Sequence, residues 1–226
     1  MEHVQREGRN VLSEDRDLPD SLTHVLWIGG TPDSGKTTIA ANLAERHGLE
    51  VYHFDRHEMD HFRRADPENQ PALTAAHPDL MGPEERWLGS SPEDMASETI
   101  ACWTERFWMT VDDLLEMPMD RTIVVEGPGL FPDCVAPLIA DRAKAVWLVP
   151  CEKFKRESVA RREKLKGVPV SDLEQARENL IQRDLLMGKH VTERASDLGL
   201  TVYEVDGSKN LDEVTAFVES HLAANL

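Results

Sequence analysis

Short apolar runs alternate along this chain with stretches of helical periodicity. The runs from His24 to Ile28, Leu49 to Phe54, Thr122 to Val125, Ala145 to Val149 and Thr201 to Val205 predict five strands. Helical segments separate them, so the pattern predicts a three-layer α/β domain with a five-stranded, mainly parallel sheet and helices on both faces.

The helix after the first strand is predicted over Thr38 to His47 and is stopped by Gly48. A long one begins after Ser171, whose spacing to Glu174 predicts a capping box. Its apolar stripe runs through Leu173, Leu180, Met187 and Val191 to Leu198, before Gly199. The last helix, about Leu211 to Leu222, buries Val214, Phe217, Val218 and Leu222.

The stretch from Asp55 to Arg121 is too long for a simple crossover. It predicts a short helix over 56–64, a segment rich in proline (Pro67, Pro71, Pro78, Pro83) and a helix over 92–116 capped by Ser91 and Asp94. Trp103, Phe107, Trp108, Val111, Leu114 and Leu115 supply that helix's apolar residues. An insertion of about 56–120 beside a phosphate site is where an acceptor pocket is built, with Trp103 and Phe107 either lining it or pinning the insertion to the sheet.

Directly after the first strand, Gly30-Thr31-Pro32-Asp33-Ser34-Gly35-Lys36-Thr37 matches the phosphate-loop pattern G-x-x-x-x-G-K-[ST], and Thr38 continues into the helix. Gly30 and Gly35 let the backbone fold closely around a polyphosphate, so that Asp33, Ser34 and their neighbours present N–H groups to it. Lys36 adds a full charge at the β- and γ-phosphates, and the Thr37 hydroxyl is placed to ligate Mg²⁺. The expected cofactors are therefore Mg²⁺ and ATP or GTP.

The 226 residues carry 42 acidic against 25 basic side chains, a formal net charge of −17, which disfavours a nucleic-acid partner. No apolar run reaches membrane-spanning length. Cys102, Cys134 and Cys151 are scattered, and the expected location is cytoplasmic. Residues 1–20 are polar and charged and read as a frayed tail before one domain over 21–226. Whether that domain is a monomer or a homodimer is left open.

Two carboxylates stand at strand ends facing the crevice of such a sheet. Asp55 is placed to take a proton from an acceptor hydroxyl or to hold Mg²⁺ through water, and Glu126, before Gly127-Pro128-Gly129, to serve Mg²⁺ or the acceptor. After the fourth strand, Lys153, Lys155, Arg156, Arg161, Arg162, Lys164 and Lys166 concentrate positive charge in an acidic chain, and a triphosphate is the matching anion. Arg63 and Arg64 lie on the acceptor side.

Together, the loop, the Asp after the second strand, the Arg-rich segment and Asp206-Gly207-Ser208 resemble P-loop kinases of the nucleoside-monophosphate-kinase-like group. Small-molecule kinases of the shikimate kinase, gluconate kinase and chloramphenicol phosphotransferase type look closest. The resemblance implies a P-loop NTPase fold and γ-phosphoryl transfer to a hydroxyl of a small molecule such as a sugar, a nucleoside or an antibiotic-like natural product. It implies that Asp55 accepts the acceptor hydroxyl's proton, and that a lid over about 151–170 closes on the nucleotide with Arg156 and Arg162, or Arg161, on the phosphoryl group. It also implies that Asp206 and Ser208 lie at the nucleotide base. A nucleotide or polynucleotide 5′-hydroxyl kinase and a non-catalytic nucleotide sensor are the rival readings.

His57-Glu58-Met59-Asp60-His61 also spells H-E-x-x-H, a zinc-protease pattern. A third ligand motif is missing downstream, so His57 and His61 read instead as acceptor-site residues.

Overall fold

The computed structural model describes residues 18–226. Of the expected tail, residues 1–17 lie outside the described residues, while Leu18–Ser21 forms a one-turn helix, α1, with Leu18 buried.

Five parallel strands form one sheet in the order β2-β3-β1-β4-β5: β1 (Val25–Gly30), β2 (Glu50–His53), β3 (Ile123–Glu126), β4 (Ala145–Pro150) and β5 (Thr201–Val205). The central strand β1 is buried at every residue because helices cover both faces. Alternation sorts its side chains. Val25 and Trp27 enter one core with Val125 and Trp147, whereas Leu26 and Ile28 enter another with Val124 and Val146.

The first core is roofed by α6 (Pro92–Glu116) and α9 (Leu173–Asp197), the second by α2 (Lys36–His47) and α10 (Leu211–Leu222). Gly48 closes α2 at φ 67°. The cap of α9 differs from expectation: Asp172, not Ser171, accepts the Gln175 N–H, and Ser171 bonds Glu84 instead. At α10 the capping box is Asn210 with Glu213.

The insertion carries three further helices, α3 (Glu58–Arg64), α4 (Pro71–Ala75) and α5 (Pro83–Leu88). The last two lie in the segment expected only to be proline-rich; Pro71 and Pro83 each start a helix, where a missing N–H costs nothing. The remaining helices are α7 (Pro132–Val135) and α8 (Glu152–Arg161).

Strand β2 ends at His53, and Phe54–His57 forms a 3₁₀ turn, so Asp55 stands two residues beyond the strand. The Phe54 ring packs against Gly127 and Gly129; a Cβ on either would fall within 2.3 Å of it. That close approach explains the Gly-Pro-Gly sequence and ties the end of β2 to the end of β3.

Candidate active site

The phosphate loop springs from the central strand, with strands added first on one side and then on the other, the position where open α/β sheets bind ligands. Gly30 has φ 117° and lies so close to β4 that a Cβ would meet the Leu148 carbonyl oxygen at 2.0 Å. Lys36 is buried, its Nζ donating to the Thr31 carbonyl at 2.7 Å and to Ser34 Oγ at 3.1 Å. Burial pushes its ammonium pKa down to about 8, against the opposing pull of Glu126 and Asp55. Thr37 and Thr38 are exposed at the start of α2, as is needed for groups that meet a ligand.

Glu126, buried at the end of β3, sits in register between Ile28 of β1 and His53 of β2. Its carboxylate accepts from Thr37 Oγ1 at 3.2 Å to each oxygen and from His53 Nδ1 at 2.8 Å. The pair of β-strand neighbours thus aims this carboxylate at the hydroxyl expected to meet Mg²⁺. His53 carried no catalytic expectation; its register opposite Glu126 requires the strand order.

Asp55 is exposed to solvent at the start of the 3₁₀ turn. Desolvation raises its carboxyl pKa, Lys36 and Arg106 pull it down, and Glu126 and Glu58 push it up. It therefore feels the phosphate loop on one side and the insertion on the other. Arg106, fully buried on α6, braces that region: it donates to the Phe54 carbonyl at 2.9 Å, pairs with Glu58 at 3.1 Å and lies 4.1 Å over the Phe54 ring.

The basic segment gathers around Asp33. This loop residue adopts φ 72°, a conformation Asp tolerates better than most, and its side chain is enclosed. Its carboxylate takes Lys155 Nζ at 2.6 Å, Arg162 at 3.2 Å and Lys164 at 3.3 Å. Burial would raise its pKa, but these cations outweigh it and lower it. Lys155, itself buried, also bonds Asp184. Asp33 thus meets the cations of the basic segment with its side chain.

Arg156 is not gathered there: Glu178 at 2.8 and 2.9 Å and Glu152 at 2.8 Å take up its guanidinium. Arg161 is exposed on the last turn of α8. Lys155 and Asp184 were missed as a site pair, although Asp184 lies four residues after Leu180 and three before Met187, on the buried stripe of α9. A carboxylate at a core-facing register is the signal that could have found it.

On the acceptor side, several expected contacts are structural. His61 is fully buried, with Nε2 donating to Asp113 at 2.9 Å; Tyr52 and Arg64 donate to the same carboxylate at 2.6 and 2.7 Å. His57 stacks on Tyr52 at 4.2 Å. The two H-E-x-x-H histidines are thus committed to packing, and among the described residues no group of three His, Cys, Asp or Glu could hold a metal. Arg63 donates to the Met59 carbonyl at 3.0 Å. Phe107 is fully buried, 5.8 Å from Trp27, and is a core residue with no surface for an acceptor.

Trp103, half-buried against Phe54 and Phe131, does line a cavity of about 360 Å³ between α3, α4, α5, α6 and α9. Glu58, on the cavity wall, donates its backbone N–H to the Asp55 carbonyl.

At the far end of β5, the Ser208 N–H and hydroxyl both donate to Asp206, at 2.9 and 2.6 Å, making an exposed Asx turn before α10. No helix of the described residues is long and apolar enough to cross a membrane.

No family model matches the chain, and no curated protein matches it in sequence. Among solved structures it is similar to shikimate kinase from Acinetobacter baumannii in complex with shikimate, at 14% identity over 92% of this chain and 99% of that one, TM-score 0.47. It is also similar to deoxyadenosine kinase from M. mycoides, at 12% identity over 88% and 99%, TM-score 0.45. A third is shikimate kinase from Aquifex aeolicus vf5, at 14% identity over 89% and 97%, TM-score 0.40. With the strand order β2-β3-β1-β4-β5 and the phosphate loop between β1 and α2, the chain has a parallel three-layer α/β fold that carries a phosphate loop.

Proposed function

We propose that this protein transfers the γ-phosphoryl group of Mg²⁺-bound ATP or GTP to a hydroxyl of a small molecule. One arrangement carries the proposal: Lys36, Glu126 and Asp55 are electrically coupled at or just beyond the ends of three adjacent strands. A nucleotide sensor needs the lysine and the metal carboxylate, but not a second carboxylate beside them.

The residues fit the ligands that the loop implies. Lys36, whose buried ammonium is partly starved of counter-charge, gains a partner when phosphates arrive. Thr37 and Glu126 would hold Mg²⁺, which neutralises charge on the transferring group when bound. Asp55, its pKa raised by desolvation, accepts the acceptor's proton more readily than an aspartate at its ordinary pKa would. Because phosphoryl transfer is largely dissociative, orienting the hydroxyl is as much its task as removing the proton. Arg162 and Lys164, now on Asp33, supply the nearest lid cations.

The test is a nucleotide- and Mg²⁺-dependent mass gain of one phosphate over a panel of hydroxylated compounds, with Lys36→Ala and Asp55→Asn in parallel. Lys36→Ala should lose nucleotide binding and transfer together. Asp55→Asn should keep nucleotide binding and lose transfer. Failure of both ATP and GTP to bind the wild type in calorimetry would refute the proposal.

A further inference from the structure

We infer that Lys155 is a positioning residue for the phosphate loop: by bridging Asp33 and Asp184, it holds Asp33 in the left-handed conformation that turns the loop amides toward a polyphosphate. This rests on the kinase reading above. Asp33 has φ 72° and Gly35 has φ 88°, with Ser34 between them outside the left-handed region. Left-handed residues at alternate positions turn successive N–H groups to one side of a loop, which is how a backbone cups an anion. Gly35 takes that conformation freely, whereas at Asp33 a Cβ opposes it. Something has to hold Asp33 there.

Three cations reach its carboxylate, and they are not equivalent. Arg162 and Lys164 approach one oxygen at 3.2 and 3.3 Å with side chains 54% and 34% exposed, so water screens both. Lys155 Nζ takes the other oxygen at 2.6 Å, lies 3.5 Å from the Pro32 carbonyl and bonds Asp184 behind it. None of these three side chains, Lys155, Asp33 and Asp184, is more than 2% exposed. Asp184 is held in turn by Arg183, which donates to its second oxygen at 2.9 and 2.7 Å. Because Lys155 belongs to α8 and Asp184 to α9, the loop is tied to two helices that pack on each other. Burying such a set of charges fixes one conformation of the loop.

The Lys36 pKa, brought down to about 8 chiefly by burial, is lowered in part by the charge of Lys155. Lys155 is thus near enough for a rival role, direct contact with phosphate, and the test has to separate the two. Calorimetry with Mg²⁺-ATP and Mg²⁺-GTP on the full chain does so through paired substitutions. Lys155→Met strands neither carboxylate, since Arg162 and Lys164 stay on Asp33 and Arg183 stays on Asp184. It should weaken nucleotide binding about tenfold, the factor expected when one left-handed residue bearing a Cβ loses its support. Adding Asp33→Gly should bring the affinity back close to that of the wild type, because glycine needs no support at this φ. Adding Asp33→Ala removes the same charge but keeps a Cβ, and should restore nothing. Urea unfolding checks that each variant is folded at the assay temperature, and Lys155→Gln takes the place of Lys155→Met should the methionine variant fail to fold.

Equal recovery with glycine and with alanine would mean that Lys155 acts on the phosphates through its charge, and would overturn the inference. Recovery with neither, or wild-type affinity in Lys155→Met, would overturn it as well. These three results leave the kinase reading standing, whereas a wild type that binds neither nucleotide sinks both together.

Discussion

The Thr37 hydroxyl lies 3.2 Å from both carboxylate oxygens of Glu126, across 89 positions of sequence. His53 holds one of those oxygens from the other side at 2.8 Å. Glu126→Gln removes the negative charge and should raise the Mg²⁺ needed for half-maximal turnover by about 10–100-fold. His53→Ala should move the same quantity in the same direction by less, and His53→Asn should recover part of it by restoring an N–H. Mn²⁺ binding followed by electron paramagnetic resonance checks both variants without relying on turnover.

Asp55→Asn keeps the shape of the cleft and removes the proton acceptor. Turnover of a hydroxyl acceptor should fall by about 10²–10⁴-fold with the nucleotide KM nearly unchanged, as steady-state kinetics would reveal. An equal loss of nucleotide affinity would mean that the carboxylate serves the metal instead.

Asp33 is the shared counter-ion of Lys155, Arg162 and Lys164, with its own side chain and that of Lys155 enclosed. Asp33→Ala leaves Lys155 buried with only Asp184, and the fold should lose about 3 kcal/mol in urea unfolding. Limited proteolysis should also cut more readily within 161–168 in that variant, because two cations that anchor the segment to the phosphate loop have lost their partner.

Asp113 ties β2, α3 and α6 together. Burial would raise its pKa, but hydrogen bonds from His61, Tyr52 and Arg64 outweigh it and hold the carboxyl at about 2 against an ordinary 3.8. A carboxyl depressed in the folded state stabilises it above the ordinary pKa and ceases to do so as pH falls through the folded one. Wild type should therefore exceed Asp113→Leu by about 2 kcal/mol or more at pH 6, and that margin should shrink by about 2 kcal/mol between pH 4 and pH 2. Parallel urea titrations across that range check it.

The phosphate loop and all five strands could be read in advance because their signals are local: an apolar run, two glycines, a lysine, a helix behind. Asp55 and Glu126 could be named for the same reason, since both follow β-formers directly. What could not be read was how distant charges pair. Arg106, Asp113 and Asp184 lie on long helices where a charged residue normally faces water, and only tertiary packing turns them inward. Arg156 was singled out for its place in a basic run, and two glutamates one helix away and one turn away took it. Ser171 satisfied a capping pattern that Asp172, one residue later, satisfied in fact.

Phe54, wedged against Gly127 and Gly129 and gripped by Arg106, makes the two strand-end carboxylates parts of one rigid block. The short helices α4 and α5, by contrast, rest on the long helices: the Ala72 and Leu73 N–H groups donate to Glu105 of α6, and Asn179 of α9 donates to the Trp87 carbonyl. Divergence can therefore reshape those helices while the strand ends stay as they are, so a lineage built on this scaffold is free to vary the insertion without disturbing the block beneath it.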